Sequence, residues 1–360
     1  MERDFVEFTK HMEEDVLALV SALNLESIRD VMYREFYEEL SWENGGPVWL
    51  TLLLPHIETI ELVTKKPDTE RIHIPITTVL QDPHNTNCLR SHRFDRLRNL
   101  VLAHSAQNSI VLCPIDRVYL SNFMLPSLKV AKLHNVIFDG DEWPEGHSGC
   151  SSVTELHIHD DQDAFVYPDL SGYLDTFKTL EILHLYIHNS YVLYIEDYLE
   201  RPRYIEILVS HAQSLQDLQL YSCERYYKSD GSFMEMSPHC PPQPSLGHFT
   251  NLKSLALTDM SLVGMSTAGP AHWYQSIETT LNHLAKMFPP SLETFKHLLW
   301  DGPSVFAKAL TKRQQPLRSW ERIWKASDQN QFPSLQKVLT QNYDIDVLSS
   351  ESTVIWERSN

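Results

Sequence analysis

Histidine, tyrosine and carboxylate side chains recur at fixed offsets in three short stretches of this 360-residue chain. Glu155-Leu156-His157-Ile158-His159, Ile182-Leu183-His184-Leu185-Tyr186 and Asp217-Leu218-Gln219-Leu220-Tyr221 share one alternation, with an apolar residue at every second position. Imidazoles so placed could ligate a metal, exchange protons near neutral pH, or touch a partner. Metal ligation is the weakest of these. His157 and His159 on one strand face stand about 7 Å apart, and the sequence supplies no second shell to hold them as ligands. Tyrosine contributes rigid, amphipathic contact area of the kind enriched at binding hot spots. The plainer alternative is that His and Tyr simply tolerate a solvated strand, where aromatic residues have good β-propensity.

The elements that would position these groups are set by leucines. Leu180-Glu181-Ile182-Leu183-His184-Leu185, Leu215-Gln216-Asp217-Leu218-Gln219-Leu220 and Leu252-Lys253-Ser254-Leu255-Ala256-Leu257 each read L-x-x-L-x-L, the leucine-rich-repeat signature. The final L-x-L alternates at period two, so both leucines point into a core and the residue between them points away. One such unit cannot bury its apolar face, so neighbours must stack. Related units stand at Ile57/Ile60/Leu62, Leu97/Leu100/Leu102, Leu128/Ala131/Leu133 and Val153/Leu156/Ile158. Leu292 with Phe295 and Leu335 with Val338 end the series. Ile115/Val118/Leu120 also fits the template, but it lies too close to Leu128 for a separate repeat.

Stacking strands side by side, about 4.8 Å apart, turns equivalent positions into ladders across the sheet. The central ladder reads Glu61, Val101, Lys132, His157, His184, Gln219, Ala256, and the next Val63, Ala103, His134, His159, Tyr186, Tyr221, Thr258. The preceding ladder contributes Glu155, Ile182 and Asp217. The expected partner-binding set on the concave face is therefore His134, Glu155, His157, His159, His184, Tyr186, Asp217, Gln219 and Tyr221. No residue is expected to be catalytic or metal-ligating, and no cofactor is expected.

Helical stripes fall between the units. Leu170, Leu174 and Phe177, the segment from Tyr204 to Ala212 after Pro202, and Ile277, Leu281 and Leu284 all have helical spacing. Residues 1–46 carry two further stripes, Phe5 to Leu23 and Ile28 to Leu40, closed by Asn44-Gly45-Gly46-Pro47. They are expected to form a helical cap on the first repeat of an α/β solenoid covering residues 47–360. A Pro-rich loop insertion is expected at about 226–248.

Composition narrows the function classes. A formal net charge of −18 opposes binding to nucleic-acid phosphate and to anionic lipid, so neither is an expected partner. Five cysteines without a C-x-x-C pair suggest neither a zinc site nor a disulfide framework. With no signal core and no membrane-length apolar run, a cytoplasmic or nuclear location is expected. Acidic turns at 139–142 and 160–163 lack calcium-loop spacing. Gly264-Met265-Ser266-Thr267-Ala268-Gly269 has its serine-to-glycine spacing one residue too long for a nucleophile elbow. Trp320 and Trp324, beside Arg318 and Arg322, suit packing of the last repeat or a partner helix face.

Several phrases of the chain resemble a fungal family of leucine-rich-repeat proteins, many of which carry an F-box ahead of the repeats. They are Leu53-Leu54-Pro55-His56-Ile57-Glu58-Thr59-Ile60, Leu125-Pro126-Ser127-Leu128-Lys129, Ser151-Ser152-Val153-Thr154-Glu155-Leu156, Phe249-Thr250-Asn251-Leu252-Lys253-Ser254-Leu255 and Phe288-Pro289-Pro290-Ser291-Leu292-Glu293. They stand in family order over residues 45–340. The resemblance implies a substrate receptor of a cullin-type ubiquitin ligase, with an F-box holding the Skp adaptor and the repeats holding the target. The opening Leu-Pro-x-Glu of an F-box is missing, and residues 1–40 have room for two helices only. The leading expectation is therefore a non-enzymatic scaffold that binds a protein partner. The ubiquitin-ligase receptor is the second reading, and a solenoid repurposed for a small molecule the third.

Overall fold

Nine leucine-type units become nine parallel strands of one sheet. The computed structural model describes residues 57–64, 96–104, 114–115, 123, 125–134, 137–138, 149–160, 169–192, 204–227, 245–258, 277–300, 322–327, 329–343 and 352–358. The strands are β1 (Thr59–Thr64), β2 (Asn99–His104), β4 (Val130–His134), β6 (Glu155–Asp160), β7 (Ile182–Val192), β8 (Asp217–Tyr227), β9 (Ser254–Thr258), β10 (Thr294–Trp300) and β11 (Lys337–Tyr343). They lie side by side in chain order, and β12 (Ser352–Glu357) completes a ten-stranded sheet.

Alternation decides which way each side chain faces. Ile60, Leu100, Ala131, Leu156, Leu183, Leu218, Leu255, Phe295 and Val338 form one in-register row across the sheet. Every member of that row is buried. Two residues along, Leu133, Ile158, Leu185, Leu220 and Leu257 form a second buried row, which ends in polar side chains at His297 and Thr340. Burial of a leucine-sized side chain stabilises by roughly 1.5–3 kcal/mol, so these rows dominate the driving force for stacking.

The residue before each strand ties one unit to the next. The carbonyls of Glu58, Arg98, Lys129, Thr154, Glu181, Gln216, Lys253 and Glu293 each accept two backbone N–H groups from the following unit, at 2.8–3.2 Å. Equivalent positions lie 25 residues apart at the closest (129 to 154) and 43 at the widest (293 to 336). The pairing is thus regular although the connections are not.

Helices cover the core face. α1 (Asp169–Asp175), α2 (Tyr204–Ile207) running into a 3-10 turn (Leu208–His211), and α3 (Ile277–Met287) supply Leu174, Leu208, Leu281 and Leu284 to the core that holds the strand leucines. Phe123, Tyr173 and Phe177 form an edge-to-face aromatic knot beneath the middle strands, with centroids 5.2–6.1 Å apart. Trp324, on a short helix at 322–325, is fully buried and packs with Phe288, Phe295, Phe332 and Trp356. Core packing is therefore the role of Trp324, while Trp320 and Arg318 lie outside the described residues.

Three features depart from the sequence expectations. β8 continues through Tyr227, so the expected insertion at 226–248 begins inside a strand. β7 runs parallel to it over the same eleven residues, so each strand satisfies the other's backbone groups well past the leucine motif. Ile115 belongs to β3 (Pro114–Ile115), which pairs with β5 (Ile137–Phe138) in a separate two-stranded sheet. β12 pairs antiparallel to β11 with a register shift at Val338/Leu339, and Trp356 reaches the core from it. The helical cap expected at residues 1–46, and residues 228–244 of the insertion, lie outside the described residues.

Candidate functional site

All nine singled-out residues stand on the face opposite the main core, on β4, β6, β7 and β8. The register is direct: Glu155↔Ile182↔Asp217, His157↔His184↔Gln219 and His134↔His159↔Tyr186↔Tyr221. Each is forced there by its neighbours, since Leu156, Ile158, Leu183, Leu185, Leu218 and Leu220 take the inward positions between them.

Four of the nine form a connected string. His157 Nε2 lies 2.8 Å from Glu155 Oε1 on its own strand. The His157 and His184 rings meet edge to face, centroids 4.5 Å apart. His184 Nε2 then stands 3.5 Å from Asp217 Oδ2 on the following strand. The sequence of groups is carboxylate, imidazole, imidazole, carboxylate. A carboxylate accepts from an N–H, which places the proton of neutral His157 on Nε2 and leaves Nδ1 as a base.

The surroundings shift these groups in different directions. Burial holds His157 below its ordinary value of 6.5; the hydrogen bond to Glu155 opposes this, while the positive charges of His184 and Lys132 add to it. For Asp217, burial raises the carboxyl, but the His184 ring, the Ser254 hydroxyl and Lys296 outweigh burial and leave it below 3.8. Burial, helped by the Asp217 negative charge, pushes the Tyr186 hydroxyl up to about 12. That hydroxyl donates to Gln219 Oε1.

A second row of rings crosses the same face. His134, His159, Tyr186 and Tyr221 follow one another with centroids 5.6, 5.8 and 6.2 Å apart. Exposure falls along the strands toward this row. Side chains of Glu155 and Asp217 are 30 % and 29 % exposed, and those of His157 and His184 are 20 % and 15 %. By contrast His159, Gln219 and Tyr221 are buried, at 8 %, 9 % and 3 %. Tyr221 packs with Ala256 and Leu298, flanked by Tyr186, as a small apolar cluster separated by the sheet from the main core. The face is therefore not uniformly wet as expected: His159, Gln219 and Tyr221 form a floor, and Glu155, His157, His184, Asp217, Tyr186 and His134 stand where solvent reaches.

Lys296 went unremarked in the sequence, although it occupies the central ladder beside Ala256 and acts on Asp217. The signal was present in the Leu292/Phe295 unit, where Lys296 follows the second apolar residue as His184 does in its own unit. His211 was also missed. It is buried behind the sheet, where its Nε2 lies 3.0 Å from the Leu174 carbonyl and ties the 3-10 turn to α1.

Among the described residues, no group of three or more His, Cys, Asp or Glu is placed to hold a metal ion. No helix among them is long and apolar enough to cross a membrane. Comparison with protein-family models, curated proteins and solved structures returns no match.

Proposed function

We propose that this chain is a leucine-rich-repeat solenoid without catalytic activity, and that it docks a protein partner on the sheet face bearing Glu155, His157, His184, Tyr186 and Asp217. What supports this most is one observation. Successive parallel strands bring acidic, imidazole and phenolic side chains of consecutive units into one contiguous, partly open strip. A rigid sheet presents such side chains with little ordering cost on binding. The buried Tyr221, Gln219 and His159 beneath hold the contact side chains in place and do not themselves meet the partner.

The ubiquitin-ligase version of this reading would add an adaptor contact from residues 1–46. It is tested by whether a Skp adaptor co-purifies with the full chain. The docking reading is tested by affinity purification with mass spectrometry. A Glu155→Ala/Tyr186→Ala double variant should lose the principal partner at least tenfold relative to the natural chain. Lys178→Ala, an exposed position outside the strip, should keep it. Equal recovery by the natural chain and the double variant would refute docking at this face.

A further inference from the structure

The four-group string on β6, β7 and β8 carries a regulatory consequence that deepens the docking reading and rests on it. Two imidazoles with centroids 4.5 Å apart share one partly desolvated spot, and each has its own carboxylate on its outer side. A first proton on His157 is favoured by Glu155 and opposed by burial. A second must enter beside the first, where like charges repel in surroundings less polar than water. Titration of the pair is therefore coupled, and its two steps belong to the pair rather than to either ring.

We propose that His157 and His184 act as a one-proton switch that sets the charge of the docking strip as the pH falls. The proton comes from solvent and adds to the ring nitrogen left as a base, with no bond other than N–H formed or broken.

Every charged neighbour named on the packed strands fits this role. On β4, Lys132 stands beside His157. On β6, Glu155 holds His157, and His159 follows two residues on. On β7, Tyr186 lies near His184, with its hydroxyl kept protonated by burial. On β8 Asp217 meets His184, and beyond it Ser254 of β9 and Lys296 of β10 act on Asp217. With both rings neutral, Glu155 and Asp217 balance Lys132 and Lys296. One bound proton makes the strip net positive, so a partner presenting carboxylates or phosphates there binds more tightly below neutrality.

The free full-length chain tests the coupling without any partner. Histidines are labelled with 13C, and their ring Cε1–H signals are followed by NMR from pH 5 to 8. His157 and His184 are identified by the signals lost in His157→Gln and His184→Gln. His157 should titrate with a Hill coefficient below one in the natural chain, and its midpoint should rise when His184 is replaced. Single-site curves with a coefficient of one, or a His157 midpoint unmoved by the His184 replacement, overturn the switch. If either replacement unfolds the chain, His→Asn variants supply the identification and the curve shapes of the natural chain decide. The two readings fail separately. Equal partner recovery at pH 6 and 8, with loss in the Glu155→Ala/Tyr186→Ala variant, removes the regulation and leaves docking. Coupled titration without any partner lost in that variant removes docking.

Discussion

At the scale of single residues, His157 shows how one side chain carries two opposing constraints. Its ring is packed enough that the charged form is disfavoured, yet its Nε2 is anchored to a carboxylate that favours that form. Burial prevails, so His157 binds its proton more weakly in the folded chain than in the unfolded one. Stability from this residue is complete above pH 6.5 and is lost as pH falls from 6.5 through the lower folded value. Urea unfolding at pH 7.5 and 5.5 should therefore show the natural chain weakening on acidification, and His157→Gln should weaken less over the same interval. An identical pH dependence in both would mean that burial does not govern this ring. Asp217 acts lower on the scale: its contribution is complete above 3.8 and is lost as pH falls from 3.8 through its lower folded value.

At the scale of elements, β1, β2, β4 and β6 to β10 are each specified twice, by alternating apolar residues and by the doubly accepting carbonyl that precedes the strand. Leu218 on β8 is fully buried between Leu183 and Leu255, so Leu218→Ala leaves a cavity that neighbours on both sides border. The expected loss is roughly 2–5 kcal/mol, read as a lower urea midpoint. Val354 on β12 is 45 % exposed, and Val354→Ala should change stability by no more than about 0.5 kcal/mol. Equal effects at the two positions would contradict the assignment of the core to the strand leucines. The helices add to the same core but do not define the register, which is why α2 has only four residues while its neighbouring strands have eleven.

At the scale of the molecule, a sheet built in chain order is stabilised by neighbour-to-neighbour contacts. β7 and β8 share eleven in-register pairs, whereas β1 and β12 stand at the two edges of the sheet. Amide hydrogen exchange should follow that gradient, slowest in β6 to β9 and faster in β1 and β12. Uniform protection from β1 to β12 would indicate one all-or-none unit instead. The small cluster of Tyr221, Ala256 and Leu298 gives the middle of the sheet apolar packing on both of its faces, which reinforces the gradient.

Strand phase was legible in the order of residues alone. Because a strand has a period of two, any stretch with leucines two apart must place the intervening histidine or glutamine on the other face, and the unit leading Leu215 could be aligned with that leading Leu180 before any coordinates. That sufficed to align Glu155 with Asp217 and His157 with His184. The remaining features arise from contacts between distant units. β12 returns antiparallel and brings Trp356 against Trp324, a contact between residues whose local patterns are unrelated. Which of the nine residues meet solvent depends on the packing of Tyr221 against Leu298, whose strands are separated by β9. Phase is a local property fixed by backbone geometry, whereas burial is a sum over neighbours distant in the chain.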